Sequence, residues 1–287
     1  MQLQPAQRKN VKIKLGLQGS SGSGKTYSAL LLAYGFVNDW KQIAIIDTEN
    51  QSASLYAHLG NFYILPLKPP FSPERYIQAI KVCTEAQIRV VIIDSLSLEW
   101  EYILDAHSQL TGNSYTNWAK FTPRHQQLIQ AILQADCHII CTLRAKQDYV
   151  LNEKNGKQVP EKVGMKPIQR EGTDYELTLV FELDSKHHAI ATKDRTGLFA
   201  AQPEFTITSQ TGQLIYDWCQ LGQSDKPFHE YVNECQTVDE LRELYMSHPE
   251  YQQSHLSYFN QRKAQLQPPV STIPSQILSS NGTATRQ

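Results

Sequence analysis

The run Gly19-Ser20-Ser21-Gly22-Ser23-Gly24-Lys25-Thr26 has the spacing G-x-x-x-x-G-K-[ST]. Glycines at these positions let the backbone curl until several N–H groups converge on phosphate oxygens. A helix starting at the end of the loop turns its positive pole toward the same anion. In such a loop Lys25 reaches the β- and γ-phosphates of a nucleoside triphosphate, and the Thr26 hydroxyl ligates Mg²⁺. A second acidic element is Asp94, which closes the apolar run Arg89–Asp94 and is the candidate to hold Mg²⁺ with Thr26. Many phosphate-cleaving sites carry a glutamate directly after this aspartate; here Ser95 follows. The group that orients the attacking water must come from elsewhere. Glu49 is the candidate, at the end of the run Ile45-Ile46-Asp47-Thr48-Glu49; Asp47 is either its rival or a structural residue.

These side chains need elements that deliver them to one place. Val11–Leu17 alternates apolar and polar residues and predicts a strand before the glycine loop, with a helix over Tyr27–Val37 after it. Strands are expected over 42–47, 89–94 and 138–143, and helices over 73–87 and 122–135. The first of these helices has Pro73 at its start. Strands alternating with helices imply a mostly parallel α/β sheet, whose strand ends meet ligands along one edge. Later strands are expected at 176–184 and 188–193. Phe205–Thr208 and Leu214–Trp218 predict a hairpin around Thr211-Gly212. From about residue 226 to 266 the spacing turns helical, with a capping box at Thr237–Glu240. The expected division is a flexible N-terminus over 1–9, a core over 10–222, a small helical appendage over 226–266 and a disordered tail over 267–287.

Composition narrows the function. The chain of 287 residues is 40% apolar and 19% charged, which fits a packed globular protein. Net charge is −1, so wholesale coating of DNA or of an anionic membrane is not expected. No apolar run approaches the length that spans a bilayer, and Met1–Lys14 has no signal-peptide core, so no membrane partner is expected. Five cysteines form no CxxC pair, which fits a reduced, cytoplasmic protein without a zinc site. His187 and His188 are adjacent, and on a strand they face opposite ways, against a shared metal. No N-K-x-D motif marks guanine, so a GTPase is not expected, and no arginine cluster marks a small-molecule kinase lid.

The chain resembles the RecA-like ATPase core over about residues 10–200. The matching pieces are GSSGSGKT, IIDTEN with Glu49, VVIIDSL around Asp94, and HIICTLRAKQDY. More narrowly, KVGMKPIQREGTDYE and HHAIATKDRTGLF are similar to the phage-encoded, single-domain RecA-like ATPases of recombination and single-strand annealing (the Sak type). The resemblance implies a RecA-like P-loop NTPase core extended by late antiparallel strands. It implies a γ-phosphate sensor at Thr142 or Arg144, although the Asn-Gln pair of RecA itself is missing there. Lys193-Asp194-Arg195 resembles the K-x-R finger that reaches the γ-phosphate of a neighbouring subunit. The same residues also make good turn chemistry. A finger in trans implies head-to-tail homo-oligomers, closed as rings or open as filaments. The setting implied is the cytoplasm of a bacterial host, with single-stranded DNA and a single-strand-binding protein as partners.

One segment adds charge to that expectation. Residues 144–170 hold seven cations against three acids, net +4, which leaves −5 for the remainder. Asn155-Gly156, Pro160, Gly164 and Pro167 make it loop or hairpin. The family places a DNA-contacting loop here. The candidate contacts are Lys146, Tyr149, Lys154, Lys157, Lys162, Lys166 and Arg170, sequence-tolerant in their grip. Asn113–Arg124, with Tyr115, Trp118, Lys120 and Arg124, is a second candidate surface on which Trp118 is read first as a packing residue. The reading that results is a Mg²⁺-dependent ATPase acting on single-stranded DNA in recombination or annealing. Its alternatives are an ATP-gated scaffold that holds no DNA and a helicase or translocase motor.

Overall fold

The computed structural model describes residues 11–266 apart from 155–156, 201, 221–227 and 253–254; for 147–164, 228 and 250 it describes the backbone only. The expected flexible N-terminus over 1–9 and disordered tail over 267–287 lie outside the described residues. The chain divides into two compact units, Met1–Gly222 and Gln223–Gln287.

The first unit is built on β1 (Lys14–Gly19), β2 (Ile43–Asp47), β3 (Tyr63–Pro66), β4 (Val90–Asp94) and β5 (His138–Lys154). The strand order is β3-β2-β4-β5-β1, all parallel. β7 (Leu179–Leu183) continues it in parallel beside β1; β8 (His188–Asp194) and β9 (Phe205–Thr206) add antiparallel strands at the far side. This is the mostly parallel P-loop NTPase core with late antiparallel strands that the sequence implied.

Helices cover both faces of the sheet. α1 (Lys25–Val37) and α6 (Ser209–Gln220) pack with Ile43, Ile45, Val90 and Ile92 on one face. α2 (Pro73–Glu85) and α4 (Ser114–Gln134) pack with the intervening Ala44, Ile46, Val91 and Ile93 on the other. Successive strand residues point to opposite faces, so strands covered on both sides read as continuous apolar runs. β1 departs from that pattern because its polar positions are also buried. Lys14 Nζ donates to the Ala135 and Cys137 carbonyls at 2.8 and 2.6 Å, and burial pushes its pKa down to about 8.

Three expectations need correction. Leu214–Trp218 is not a strand: residues 209–220 form α6, and only Phe205–Thr206 pairs as β9. Gly212 is a contact glycine rather than a turn glycine. A Cβ there would stand 2.4 Å from Leu32 O of α1, and one on Gly35 would stand 2.1 Å from Ser209 O. The helix expected over 122–135 starts at Ser114, where the Asn113 side chain accepts from Tyr115 N at 2.9 Å, and Pro123 lies inside it. A further helix, α3 (Ser97–Ser108), follows Asp94 directly and had no forecast. The strand expected from 176 begins at 179, after the short α5 turn (Thr173–Glu176).

In the second unit α7 (Phe228–Glu234), α8 (Val238–Ser247) and α9 (Leu256–Leu266) enclose Val232, Cys235, Leu241 and Phe259. The Thr237 side chain accepts from Glu240 N at 3.1 Å, capping α8. Among the described residues no helix is long and apolar enough to cross a membrane.

The α1–α6 crossing sets a stability test. Gly212→Ala forces a methyl into backbone atoms that have no rotamer to yield, and should cost about 1–3 kcal/mol. Urea denaturation of the variant against the parent measures it; an unchanged midpoint would contradict the packing described.

Candidate functional site

Sheet register assembles the site. Gly19 of β1 pairs with Arg144 of β5, and Asp47 of β2 pairs with Asp94 of β4, so the ends of four strands share one edge. The glycine loop spans from that edge to α1. Gly22 and Gly24 have φ of 79° and 86°, the left-handed region that glycine tolerates. A Cβ on Gly19 would lie 2.5 Å from Ser23 Oγ and 2.7 Å from Leu183 O, so the loop closes only over a glycine. Lys25 Nζ donates to the carbonyls of Gly19 and Ser20 at 3.0 and 2.7 Å, and burial lowers its pKa.

Asp94 is the centre of the arrangement. Its Oδ2 accepts from Thr26 Oγ1 at 2.7 Å, and its Oδ1 accepts from Thr142 Oγ1 at 2.5 Å. Burial raises the Asp94 pKa, the two hydroxyls oppose the rise, and the carboxylates of Glu49 and Asp47 add to it. A hydroxyl and a crowded carboxylate are hard oxygen donors and fit a divalent cation such as Mg²⁺. Thr26 and Asp94 would hold that ion. The Thr48 hydroxyl accepts from Ser95 N at 2.8 Å and donates to Asp94 O at 3.1 Å, so the turn after β4 is tied to β2.

The two rivals for the water-orienting role separate cleanly. Asp47 is buried, and its oxygens accept from Glu49 N at 2.7 Å and Ala53 N at 3.0 Å. It shapes the turn that presents Glu49. The Glu49 side chain is 31% exposed and faces the cleft, where Arg144 Nη2 meets Oε1 at 2.9 Å and Arg144 Nε at 3.0 Å. Arg144 also approaches Glu101 of α3 at 3.9 Å. Thr142 and Arg144, the two sensor candidates, therefore contact different acids.

The cleft has a volume of about 890 Å³ and is lined by Lys25, Thr26, Glu49, Asp94 and Arg144 together with Tyr27, Tyr56 and His187. The sequence reading named none of the last three as site residues: it took Tyr27 as a helix start and His187 as one of two adjacent histidines, and left Tyr56 unremarked. Tyr56 lies in a 3₁₀ stretch beyond Glu49, and its ring stands 5.9 Å from that of Tyr27. The signal available was weak, because a tyrosine seven residues past a candidate glutamate has no set meaning without the fold. His187, at φ 68°, sits in the tight turn between β7 and β8 opposite Gly24.

Lys193 and Arg195 are not among the residues lining this cleft. β8 runs antiparallel, so its end lies away from the nucleotide edge. There Lys193 Nζ donates to Asp174 O at 2.7 Å and to Tyr175 O, and Arg195 Nη2 donates to Tyr175 O at 2.9 Å. The Asp194 carboxylate accepts from the backbone of Thr196, Gly197 and Phe199, which makes the expected turn a rigid one. Beyond Arg144, β5 leaves the main sheet and pairs antiparallel with β6 (Lys157–Pro167) as a two-stranded ribbon. The basic segment is a long hairpin. Lys146 and Lys166 are exposed on it, and Arg170 follows it, half-buried. The side chains of Tyr149, Lys154, Lys157 and Lys162 lie outside the described residues.

Residues 11–209 match the family described as AAA domain. The chain belongs to that family. This AAA domain is a P-loop ATPase domain, and it covers the whole sheet and every cleft residue named above. No curated protein matches the chain. A KaiC-like protein from the hyperthermophilic archaeon Pyrococcus horikoshii OT3 is a solved structure similar to it. The two share 16% identity at a TM-score of 0.40, over 66% of this chain and 82% of that one.

The Asp47 geometry has a direct test. Asp47→Asn turns an amide N–H₂ toward one of two backbone donors, leaving that donor unsatisfied and costing about 1–3 kcal/mol. The expected result is a lower urea midpoint together with slower ATP turnover, since Glu49 loses its mount; full stability and turnover would count against it.

Proposed function

We propose that the protein is a Mg²⁺-dependent ATPase that binds single-stranded DNA and acts, as a head-to-tail assembly, in phage-type recombination or single-strand annealing. The observation that carries the reading is the place of Arg144. It holds the candidate base Glu49 in the cleft, and it is the residue at which β5 leaves the sheet to become the cationic hairpin. A strand pulling on the hairpin has a one-residue path to the group beside the γ-phosphate.

In this reading the loop amides and Lys25 bind the phosphates, Lys25 exchanging its two loop carbonyls for phosphate oxygens. Tyr27 and Tyr56 offer aromatic faces to the base at the cleft mouth. Thr26 and Asp94 would hold Mg²⁺, which would supply charge neutralisation to the phosphate oxygens. Thr142 keeps the Asp94 carboxylate oriented. Glu49 orients the attacking water once Arg144 has shifted from it. Lys193 and Arg195, remote from their own cleft, supply cations to the cleft of the next subunit. DNA is gripped through its phosphates by the hairpin lysines, with a single-strand-binding protein as a further partner in the bacterial cytoplasm.

Steady-state ATPase assays with and without single-stranded DNA, at low and moderate salt, test the whole reading. Stimulation should fade as salt rises, and Lys25→Ala should abolish turnover. Hydrolysis indifferent to DNA, with no strand retained, would remove the DNA arm and leave a nucleotide-gated assembly protein.

Two substitutions probe the parts. Arg144→Gln should keep nucleotide binding and lose most of the DNA stimulation; stimulation intact in that variant would dismiss the coupling role. Arg195→Ala should lose hydrolysis while nucleotide affinity stays within about twofold, and retained turnover would sink the finger.

A further inference from the structure

Cations hold a single strand by its phosphates, but the bases need aromatic faces to be held as well. Such faces gather between α3 and α4. Trp100 and Trp118 stack with centroids 5.6 Å apart and planes 19° from parallel, and His107 stacks on Trp118 at 4.2 Å. Trp118 is thus a packing residue, as its sequence context suggested. One helical turn earlier Tyr115 is 86% exposed. The turn that carries it is held in place: His107 Nε2 meets Ser114 O at 3.1 Å, and Asn117 Nδ2 donates to Thr111 O at 3.2 Å. Trp100, Tyr115, Trp118 and Arg170 line a surface pocket of about 550 Å³. Of the other cations on this stretch, Arg124 is bound to Glu74 at 2.6 and 2.9 Å, while Lys120 is exposed.

We infer that this pocket takes one unstacked nucleobase of the single strand, with Tyr115 as the stacking face and Arg170 as the adjoining cation. The inference rests on the DNA-binding function proposed above and names the base subsite of that same surface. Arg170 supplies the continuity, because it follows the cationic hairpin by three residues and also lines the pocket. One strand can therefore lay its phosphates along the hairpin and turn a base into the aromatic wall. Every base has a π-face, so capture by stacking is sequence-tolerant. A tyrosine ring that is 86% exposed adds stacking area at the cost of fixing only two side-chain torsions.

The test compares a thymidine oligonucleotide with an abasic strand of equal length and charge, each titrated by fluorescence anisotropy into the full chain at low salt. The parent should bind the thymidine strand about tenfold more tightly. Tyr115→Ala, an exposed truncation whose folding is checked by circular dichroism, should bring the two strands to within about twofold. Tyr115→Phe should restore the preference. Equal binding of both strands by the parent, or a full preference kept by Tyr115→Ala, overturns the inference and leaves the phosphate-gripping function standing. Failure to bind either strand at low salt overturns both.

Discussion

The Asp94 carboxylate sits almost out of reach of water, and the hydroxyls of Thr26 and Thr142 are what let it stay there. A buried, unpaired carboxylate costs several kcal/mol, and two hydroxyl donors offset much of that. Each donor comes from a different element: Thr26 from the first turn of α1, Thr142 from β5. Satisfying one carboxylate therefore requires α1, β4 and β5 to meet at a single point, as the neighbouring places of β4 and β5 in the sheet allow. The residual strain of the site is electrostatic. Asp47, Glu49 and Asp94 crowd one edge, and the cations beside them are Lys25 and Arg144.

This balance explains the division of labour between the acids. Asp47 spends both oxygens on backbone N–H groups, so its charge serves the turn. Glu49 keeps its charge in the cleft and shares it with Arg144. Among the described residues, the one arginine lining the cleft is thus also the root of a ribbon carrying most of the local positive charge. Chemistry at one edge of the sheet and charge on the hairpin are joined through a backbone that leaves the sheet at that residue.

Elsewhere the fold rests on close approach rather than on charge. Gly35 and Gly212 bring two helix backbones together so tightly that any side chain would collide, and α6 closes one face of the sheet because of it. The same glycine, beside a threonine and among β-formers, gives a turn signal in the sequence. Its environment reverses that meaning, since a helix packed on a helix and a hairpin exposed to solvent ask for glycine for different reasons.

The sequence by itself determined the phosphate loop, the acid at Asp94 and the parallel architecture, and it narrowed the second acid to Glu49 or Asp47. Glycine spacing and continuous apolar runs are local consequences of backbone geometry and burial, and both survive in any context that keeps the strand order. It also marked the positive segment over 144–170, because charge is additive along a chain. Only the tertiary structure decided which acid faces the cleft, since Asp47 and Glu49 are two residues apart and differ in the N–H groups that fold back on them. Only it brought Tyr27, Tyr56 and His187, from a helix start, a 3₁₀ stretch and a turn, to the cleft that Arg144 lines. It alone turned residues 214–218 into helix and let α4 run through Pro123 from a start at Ser114. Side-chain packing across distant segments outweighs the local preferences of glycine and proline there, and no short window of sequence contains that packing.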